Sequence, residues 1–251
     1  MLNFKTILFA NDFVGLECIN FLVNNHNEDI EAIVVQEKFS ERNEAFLSSL
    51  NIKIFLSEKS EESEIIEFIK ENEIDLIILS WWPKIITRKL ISSSKLGAIN
   101  FHPSLLPFNR GKHYNFWNIV EDVDFGVTIH FVDEKIDTGD ILFQRKIKKT
   151  WEDNGKTLYQ KSQKEIIQLF VKNYKKIRSS NYKRIKQNLN EGSFHYAKEL
   201  EFASLIDLDK NYKAKELLNL LRARTFPPHP GCYFLHEEEK YEIQIKIKKI
   251  K

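Results

Sequence analysis

The first half of the chain alternates between short, continuously apolar runs and longer stretches with helical periodicity. The apolar runs are Thr6–Ala10, Ile30–Val35, Ile52–Leu56 and Ile74–Ser80. Runs of this length without polar interruptions are typical of strands that are buried on both faces of a parallel sheet. The stretches between them with helical spacing are Val14–Val23, Glu41–Leu50 and Glu61–Glu71. The pattern predicts an α/β fold with a Rossmann-like, doubly wound, mostly parallel sheet.

The second half of the chain adds further predicted elements, and its sequence becomes more polar after about residue 180. The expected elements are a strand at Gly97–Phe101, a helix at Tyr114–Val120, two strands at Phe125–Val132 and Asp140–Ile147 joined by a turn, and a long helix at Asn154–Lys176. After about residue 180 we expect polar loops, a helix at Ala214–Arg224 and strands at Cys232–Leu235 and Tyr241–Ile247. We therefore predict a main domain over residues 1–180 and a small C-terminal subdomain of a helix and a β-hairpin over 181–251.

Composition and charge exclude several classes of protein. Lys and Arg number 38 and Asp and Glu 36, and 12% of the residues are aromatic. This balance argues against a disordered chain and against a nucleic-acid-binding protein. No apolar run approaches the roughly 20 residues that span a bilayer, and the first residues lack the layout of a signal peptide. Two cysteines, Cys18 and Cys232, fit a reducing compartment, so we expect a cytoplasmic protein that contacts no membrane.

Cofactor and metal motifs are sparse. The junction after the first predicted strand, Phe9–Gly15, holds one glycine rather than the three of a dinucleotide-binding turn, so we expect no NAD or FAD there. Neither cysteine lies beside a histidine in the sequence, which argues against a cysteine nucleophile or a zinc site. We predict no metal.

Polar side chains follow two of the predicted strands. Asn100 and His102 are two residues apart and therefore share a face, and Asp137 lies in the turn between the later pair of strands. An amide N–H can stabilise a developing oxyanion, an imidazole can remove a proton from an amine, and a carboxylate can orient the imidazole. Such a set suits acyl transfer to an amine. Taken singly, each residue also has a structural reading: a packed histidine, a turn asparagine and a plain turn.

Three motifs in this order resemble one family. Asn100–Pro107, Gly126–His130 and Asp137–Ile141 are similar to the formyltransferases that use 10-formyl-tetrahydrofolate, and the resemblance covers roughly residues 5–175. It implies the formyltransferase fold, a catalytic trio of Asn100, His102 and Asp137, and Asp137 rather than Asp140 as the acid.

Within this family the chain is most similar to enzymes that formylate nucleotide-linked amino sugars. The segments Ser80–Ile86, Arg110–Trp117 and Arg222–Gly231 carry this likeness. About 70 residues follow the long helix, which is short for the barrel of methionyl-tRNA formyltransferases, whereas glycinamide ribonucleotide formyltransferases lack such an appendage. The resemblance implies a homodimer that formylates a dTDP-linked 4-amino-4,6-dideoxyhexose for surface polysaccharide.

The resemblance also implies two sets of binding residues. Those expected to bind the folate are Trp81, Trp82, Lys84, Ile85, Ile86, Asp137, Gly139 and Asp140. Those expected to bind the sugar nucleotide are Lys84, Arg110, Gly111, His113, Tyr114 and Tyr233. The structural readings are tryptophans that cap the core, solvated charges at Lys84 and Arg110, and core packing of Tyr233.

Other functions stay open at this point. They are methionyl-tRNA or glycinamide ribonucleotide formylation, hydrolysis of formyl-tetrahydrofolate, and binding of a nucleotide or folate without catalysis. The residues do not decide which sugar is used, which carbon carries the amine, or whether the base is thymine or uracil.

Overall fold

The structure is a computed structural model and describes residues 4–250. The strands are β1 (Thr6–Ala10), β2 (Ile30–Val35), β3 (Lys53–Leu56), β4 (Leu76–Ser80), β5 (Ala98–His102), β6 (Arg110–Gly111), β7 (Phe125–Phe131), β8 (Ile141–Ile147), β9 (Phe194–His195), β10 (Cys232–His236) and β11 (Glu239–Ile243). The helices are α1 (Asp12–Asn25), α2 (Glu37–Arg42), α3 (Glu44–Ser48), α4 (Glu62–Glu71), α5 (Arg88–Ile91), α6 (Tyr114–Val120), α7 (Gly155–Arg178), α8 (Glu199–Ala203) and α9 (Ala214–Arg224).

Seven strands form one sheet in the order β3-β2-β1-β4-β5-β7-β8. The pairs from β3 through to β5 are parallel. Every residue of β1 and β4 is buried, as their unbroken apolar sequences predict. Ala10 pairs with both Val35 and Ser80, so these three strands end level with one another. The expected Rossmann-like α/β fold is confirmed, and so are the C-terminal helix and antiparallel hairpin.

The helix expected at Glu41–Leu50 is instead two short helices, α2 and α3. The chain bends at Asn43, where φ is −123° and the side-chain amide donates to the Phe39 carbonyl at 2.8 Å. An asparagine that bonds backbone in this way competes with helical hydrogen bonding. Each short helix buries one apolar side chain, Phe39 or Leu47.

The chain divides into two compact units, which we describe separately. The first contains the chain up to His102 with Ile129–Phe143 and Ile166–Lys186, and the second contains Pro103–Thr128, Gln144–Glu165 and the chain from Gln187 onward. The core of the first unit packs the apolar side chains of β1, β2 and β4 against those of α4. The second unit has one cluster around Phe116 and Leu158 and another around Cys232. The sequence division at residue 180 stays a prediction.

One further observation concerns the helices. Within residues 4–250, none is both long and apolar enough to cross a bilayer.

Candidate active site

The first unit brings the expected polar residues together through a fourth residue, His130. His102 Nδ1 lies 3.4 Å from one carboxylate oxygen of Asp137, and His130 Nε2 lies 3.6 Å from the other. The Asn100 amide nitrogen is 3.4 Å from that same His130 Nε2. His102 and His130 are buried, and the Asp137 side chain is 11% exposed. The Asp137 carboxylate therefore lies between the two imidazoles, and the Asn100 amide contacts the second one, His130.

The main chain brings Asp137 into this position. Its φ is +55°, in the left-handed region, which aspartate tolerates better than most side chains. Two residues later, a Cβ added at Gly139 would overlap the carbonyl oxygen of Phe131, so only glycine fits there. The Thr138 hydroxyl donates to the Asp133 carboxylate at 2.6 Å, a hydrogen bond between two residues of the same turn. The turn sequence thus fixes the direction of the carboxylate.

The carboxylate also decides which nitrogen of His102 carries the proton. An ionised carboxylate only accepts hydrogen bonds, so the ring nitrogen that faces it, Nδ1, must be protonated. In the neutral ring the lone pair is then on Nε2. An imidazole oriented in this way can remove a proton from an amine, and the carboxylate stabilises the charged ring that results.

Asp140, the other carboxylate of this turn, has a different partner. Arg184 Nε lies 3.0 Å from Asp140, and the guanidinium carbon lies 3.9 Å from the centre of the Phe131 ring. Asp140 is therefore held by an arginine that itself stacks on an aromatic side chain.

The expected folate residues Trp81–Ile86 divide between the core and the surface of the first unit. Trp82 packs edge-on against Phe9 at 5.3 Å between ring centres, and Ile86 is buried in the same core. Ile85 is 85% exposed, and Lys84 Nζ reaches Ser57 Oγ at 3.0 Å. Trp81 is half-buried and adopts φ of +59°, an outlier for so large a side chain.

The second unit contains most of the residues expected to bind the sugar nucleotide. Arg110 and Gly111 form β6, which pairs in parallel with β9. Gly111 has φ of +86°, and a Cβ there would overlap the carbonyl oxygen of His195. These two residues are consequently held by their backbone, across more than 80 residues of sequence.

The other three residues of the second unit that are expected to bind the sugar nucleotide are His113 and Tyr114, at the start of α6, and Tyr233, on the hairpin. Burial lowers the pKa of His113, and nearby Arg224 and Lys112 lower it further. Burial raises the pKa of Tyr114 well above its usual value. The ring of Tyr233 is covered by Lys240, whose Nζ lies 3.5 Å from the ring centre.

Among residues 4–250, one group has the spacing of metal ligands: His26, Glu28 and Asp29. Its carboxylates already have internal partners, because Asp29 accepts from the Tyr174 hydroxyl at 3.0 Å and from Arg178 Nε at 2.9 Å. We interpret the group as an anchor for α7, and the expectation that the protein needs no metal stays a prediction.

Sequence reasoning missed His130. It belongs to the motif Gly126–His130, but no role was derived for it. The available signal was its place at the end of β7, a strand that adjoins β5 in the sheet and precedes the turn with Asp137. Its ring contacts could not be read from spacing.

The sheet order and the grouping of an amide, two buried imidazoles and a carboxylate fit an α/β protein of the formyltransferase fold. A family profile described as "Formyl transferase" matches residues 19–173, and one described as "N-formyltransferase dimerization C-terminal domain" matches residues 199–249. The chain belongs to the formyl transferase family.

Curated relatives carry the name methionyl-tRNA formyltransferase. One from Agathobacter rectalis is 29% identical over 188 residues, covering 74% of this chain and 58% of that protein. One from Ligilactobacillus salivarius is 33% identical, covering 73% of this chain and 56% of that protein. The chain thus spans about three-fifths of the length of these relatives.

Solved structures match over nearly the whole chain. A 4-N formyltransferase from Francisella tularensis is 27% identical, with a TM-score of 0.82 and coverage of 98% of both chains. A sugar N-formyltransferase from Shewanella sp FDAARGOS_354 shares the fold at 20% identity, with a TM-score of 0.80 and coverage of 99% of each chain.

Proposed function

We propose that the protein is an enzyme that transfers the formyl group of 10-formyl-tetrahydrofolate to the amino group of a nucleotide-linked amino sugar. The proposed acceptor is a dTDP-linked 4-amino-4,6-dideoxyhexose that is made for surface polysaccharide. The observation that carries the proposal is the contact of His102 with Asp137, to which the Asn100 amide is linked through His130. It gains support from the likeness, along almost the full chain, to a 4-N formyltransferase.

Each residue of the trio has a defined task. The folate co-substrate supplies an electrophilic formyl carbon when it is bound. An Asn100 amide N–H stabilises the negative charge that develops on the formyl oxygen as the amine attacks. His102 Nε2 removes the proton that the amine must lose, directly or through a water molecule, and the protonated ring returns it to the folate nitrogen as the bond from that nitrogen to the formyl carbon breaks. Asp137 keeps the proton of the neutral ring on Nδ1 and stabilises the protonated ring.

The residues expected to hold the folate fit a flat, partly apolar ligand. Exposed Ile85 and half-buried Trp81 and Trp82 offer apolar surface next to the polar main chain of residues 81–86. On this proposal Gly139 allows the backbone of the turn to pack closely, and Asp140 stays held by Arg184.

The sugar nucleotide would use the second unit. Lys112 and the Arg110 side chain offer positive charge for a diphosphate, although Arg110 Nε also donates to the Ser193 carbonyl at 3.3 Å. Gly111, His113, Tyr114 and Tyr233 are proposed to contact the sugar nucleotide in this unit, and the role expected of Lys84, which belongs to the first unit, stays a separate prediction. A structure of an N-formyltransferase from Helicobacter canadensis contains folinic acid together with dTDP-3-aminofucose. This complex supports a folate and a sugar nucleotide as the pair of ligands.

A second candidate is formylation of methionyl-tRNA. The names of the curated relatives favour it. The likeness to a 4-N formyltransferase favours an amino-sugar acceptor, because its TM-score is 0.82, against 0.62 for a methionyl-tRNA formyltransferase from Clostridium thermocellum.

We also propose that the enzyme acts as a homodimer in the cytoplasm. The profile over residues 199–249 is described as a dimerization domain. Both cysteines, Cys18 and Cys232, are free and buried, which fits a reducing compartment.

The experiment is an acceptor panel incubated with 10-formyl-tetrahydrofolate and read by mass spectrometry. The panel contains dTDP- and UDP-linked 3-amino and 4-amino sugars, methionyl-tRNA, glycinamide ribonucleotide and water alone. A gain of one formyl group on the dTDP-4-amino sugar, absent in the His102→Asn variant, is the expected result. Formylation of methionyl-tRNA in preference to every sugar would reassign the acceptor, and release of formate alone would indicate a hydrolase.

A further inference from the structure

We infer that His130 is a positioning residue that holds the Asn100 amide with its nitrogen, rather than its oxygen, toward the imidazole. The consequence for catalysis rests on the proposed function, because it assumes that Asn100 donates to the formyl oxygen. The hydrogen bond itself does not depend on that function.

The proton on His130 is placed by a backbone contact. Its Nδ1 lies 2.7 Å from the carbonyl oxygen of Phe131, and the residue is 2% exposed. A carbonyl oxygen only accepts, so Nδ1 must be the donor. In the neutral ring the lone pair is therefore on Nε2, the nitrogen that faces Asn100.

The lone pair selects one of two orientations of the Asn100 side chain. An asparagine amide has a similar shape in both orientations, and its hydrogen-bond partners decide which one is adopted. An amide oxygen facing the Nε2 lone pair would be repelled, whereas an amide N–H can donate to it at the observed 3.4 Å. One N–H is thereby used, and the second N–H of the same nitrogen is left to meet a ligand. Asn100 is half-buried, so a ligand can reach it.

A different role for His130 must be distinguished from this one. Asp137 Oδ1 lies 3.6 Å from Nε2, which is longer than an ordinary hydrogen bond. Supporting that carboxylate would require a proton on Nε2 in addition to the one on Nδ1, and the ring would then be charged. The two roles predict different partners: an amide-positioning role couples His130 to Asn100, and a carboxylate-supporting role couples it to Asp137.

The first measurement tests the hydrogen bond without any substrate. Histidine in the full-length protein is labelled with ¹⁵N, and the His130 resonances are assigned by their loss in His130→Gln. We expect a protonated Nδ1 and an unprotonated, hydrogen-bonded Nε2, whose resonance moves in Asn100→Ala but stays in Asp140→Asn. A protonated Nε2, or an Nε2 resonance that is the same in Asn100→Ala, would overturn the inference.

The second measurement is a double-mutant cycle on formyl transfer to the acceptor found in the panel. His130→Phe keeps a flat ring but removes the acceptor, whereas His130→Gln can return an oxygen to the place of Nε2. We expect His130→Phe to lower kcat by about 10- to 100-fold with KM changed less than about threefold, since removing an oxyanion donor outright costs roughly 100- to 1000-fold. His130→Gln should recover part of that loss.

The cycle assigns the partner. In the Asn100→Ala background, His130→Phe should lower kcat by less than about threefold further, because the amide that it positions is gone. Losses that multiply with Asn100→Ala but not with Asp137→Asn would overturn the inference in favour of carboxylate support. Thermal melting of each variant shows whether it is folded. A wild-type protein that formylates nothing in the panel would overturn the proposed function, and the ¹⁵N measurement would still decide the inference.

Discussion

At the scale of single residues, His102 and Asp137 carry the sharpest expectation. We predict that His102→Asn and Asp137→Asn each lower kcat by about 100-fold or more, because the first removes the base and the second removes the group that orients it. Glu134→Gln is the matched control: it neutralises a carboxylate three residues away that is exposed and paired with Arg88, and kcat should stay within about threefold. Steady-state kinetics on folded variants checks this, and near wild-type rates for both active-site variants would contradict the assignment.

His113 provides a prediction about pH. Burial, with Arg224 and Lys112 nearby, lowers its pKa in the folded protein below its usual 6.5, so the unfolded chain binds the proton more tightly. Stability is therefore lost as pH falls below about 6.5, in the window down to the lower pKa of the folded state. The melting temperature of His113→Gln should therefore fall less than that of the wild type when the pH is lowered from about 7.5 to about 5.5. Equal losses in both proteins would show that His113 does not contribute to this dependence.

Part of the candidate site could be predicted from the spacing of its residues in the sequence. Strand alternation placed Asn100 and His102 on one face, and the resemblance selected Asp137 over Asp140. The part played by His130 depends on a 2.7 Å contact with the carbonyl of the next residue and on the direction of a ring. No periodicity in the sequence encodes that direction, so it required the structure.

At the scale of elements, the positions of helices with strong hydrophobic periodicity were predicted well from the sequence. Strand ends and strand pairs that depend on residues far apart in the sequence were not. The helices α6 and α9 have the predicted bounds. The strand expected at Tyr241–Ile247 begins two residues earlier and ends at Ile243, the residue paired with Cys232 at the start of β10. The two-residue strands β6 and β9 were not predicted, because their pairing joins Arg110–Gly111 to a segment more than 80 residues later.

The anchor of α7 supports a stability prediction. The side chain of Asp29 is fully buried and accepts from Tyr174 and Arg178, so its removal leaves a buried hydroxyl and a guanidinium without their acceptor. We expect Asp29→Ala to lower the free energy of unfolding by about 2–3 kcal/mol. Glu28→Ala, which removes an exposed partner of the same Arg178, should cost less than about 1 kcal/mol. Denaturant unfolding checks both values, and equal costs would contradict the interpretation of Asp29 as the anchor.

At the scale of the whole molecule, the proposed dimer can be tested on side chains that the second unit leaves exposed. Phe202 of α8 is 79% exposed and Leu235 of β10 is 57% exposed, and both lie within the segment that matches the dimerization profile. Leu205, just after α8, pairs with Tyr233 of β10, so these two elements adjoin. Apolar surface of this kind is typical of an interface with a second copy.

We predict that Leu235→Asp converts a dimer into a monomer, because a buried, unpaired carboxylate is strongly disfavoured. Ile185→Asp is the control, since Ile185 is also 57% exposed but lies outside the matched segment. Light scattering coupled to size exclusion gives the mass of each variant. These point changes are preferable to deletion of residues 232–251, which would also remove Cys232 and Ile243 from a core cluster. A dimer that persists in both Leu235→Asp and Phe202→Asp would contradict this placement of the interface.

The turn that carries Asp137 has a consequence for how the sequence can vary. Because the backbone aims the carboxylate, the exposed side chains at Lys135 and Ile136 contribute little to its direction, while Gly139 has no room for even one methyl group. A saturation library of these positions, read by activity, should therefore tolerate substitutions in the opposite order to the one that side-chain chemistry suggests. The chemically silent glycine would accept almost no replacement, and its conspicuous charged and apolar neighbours would accept many.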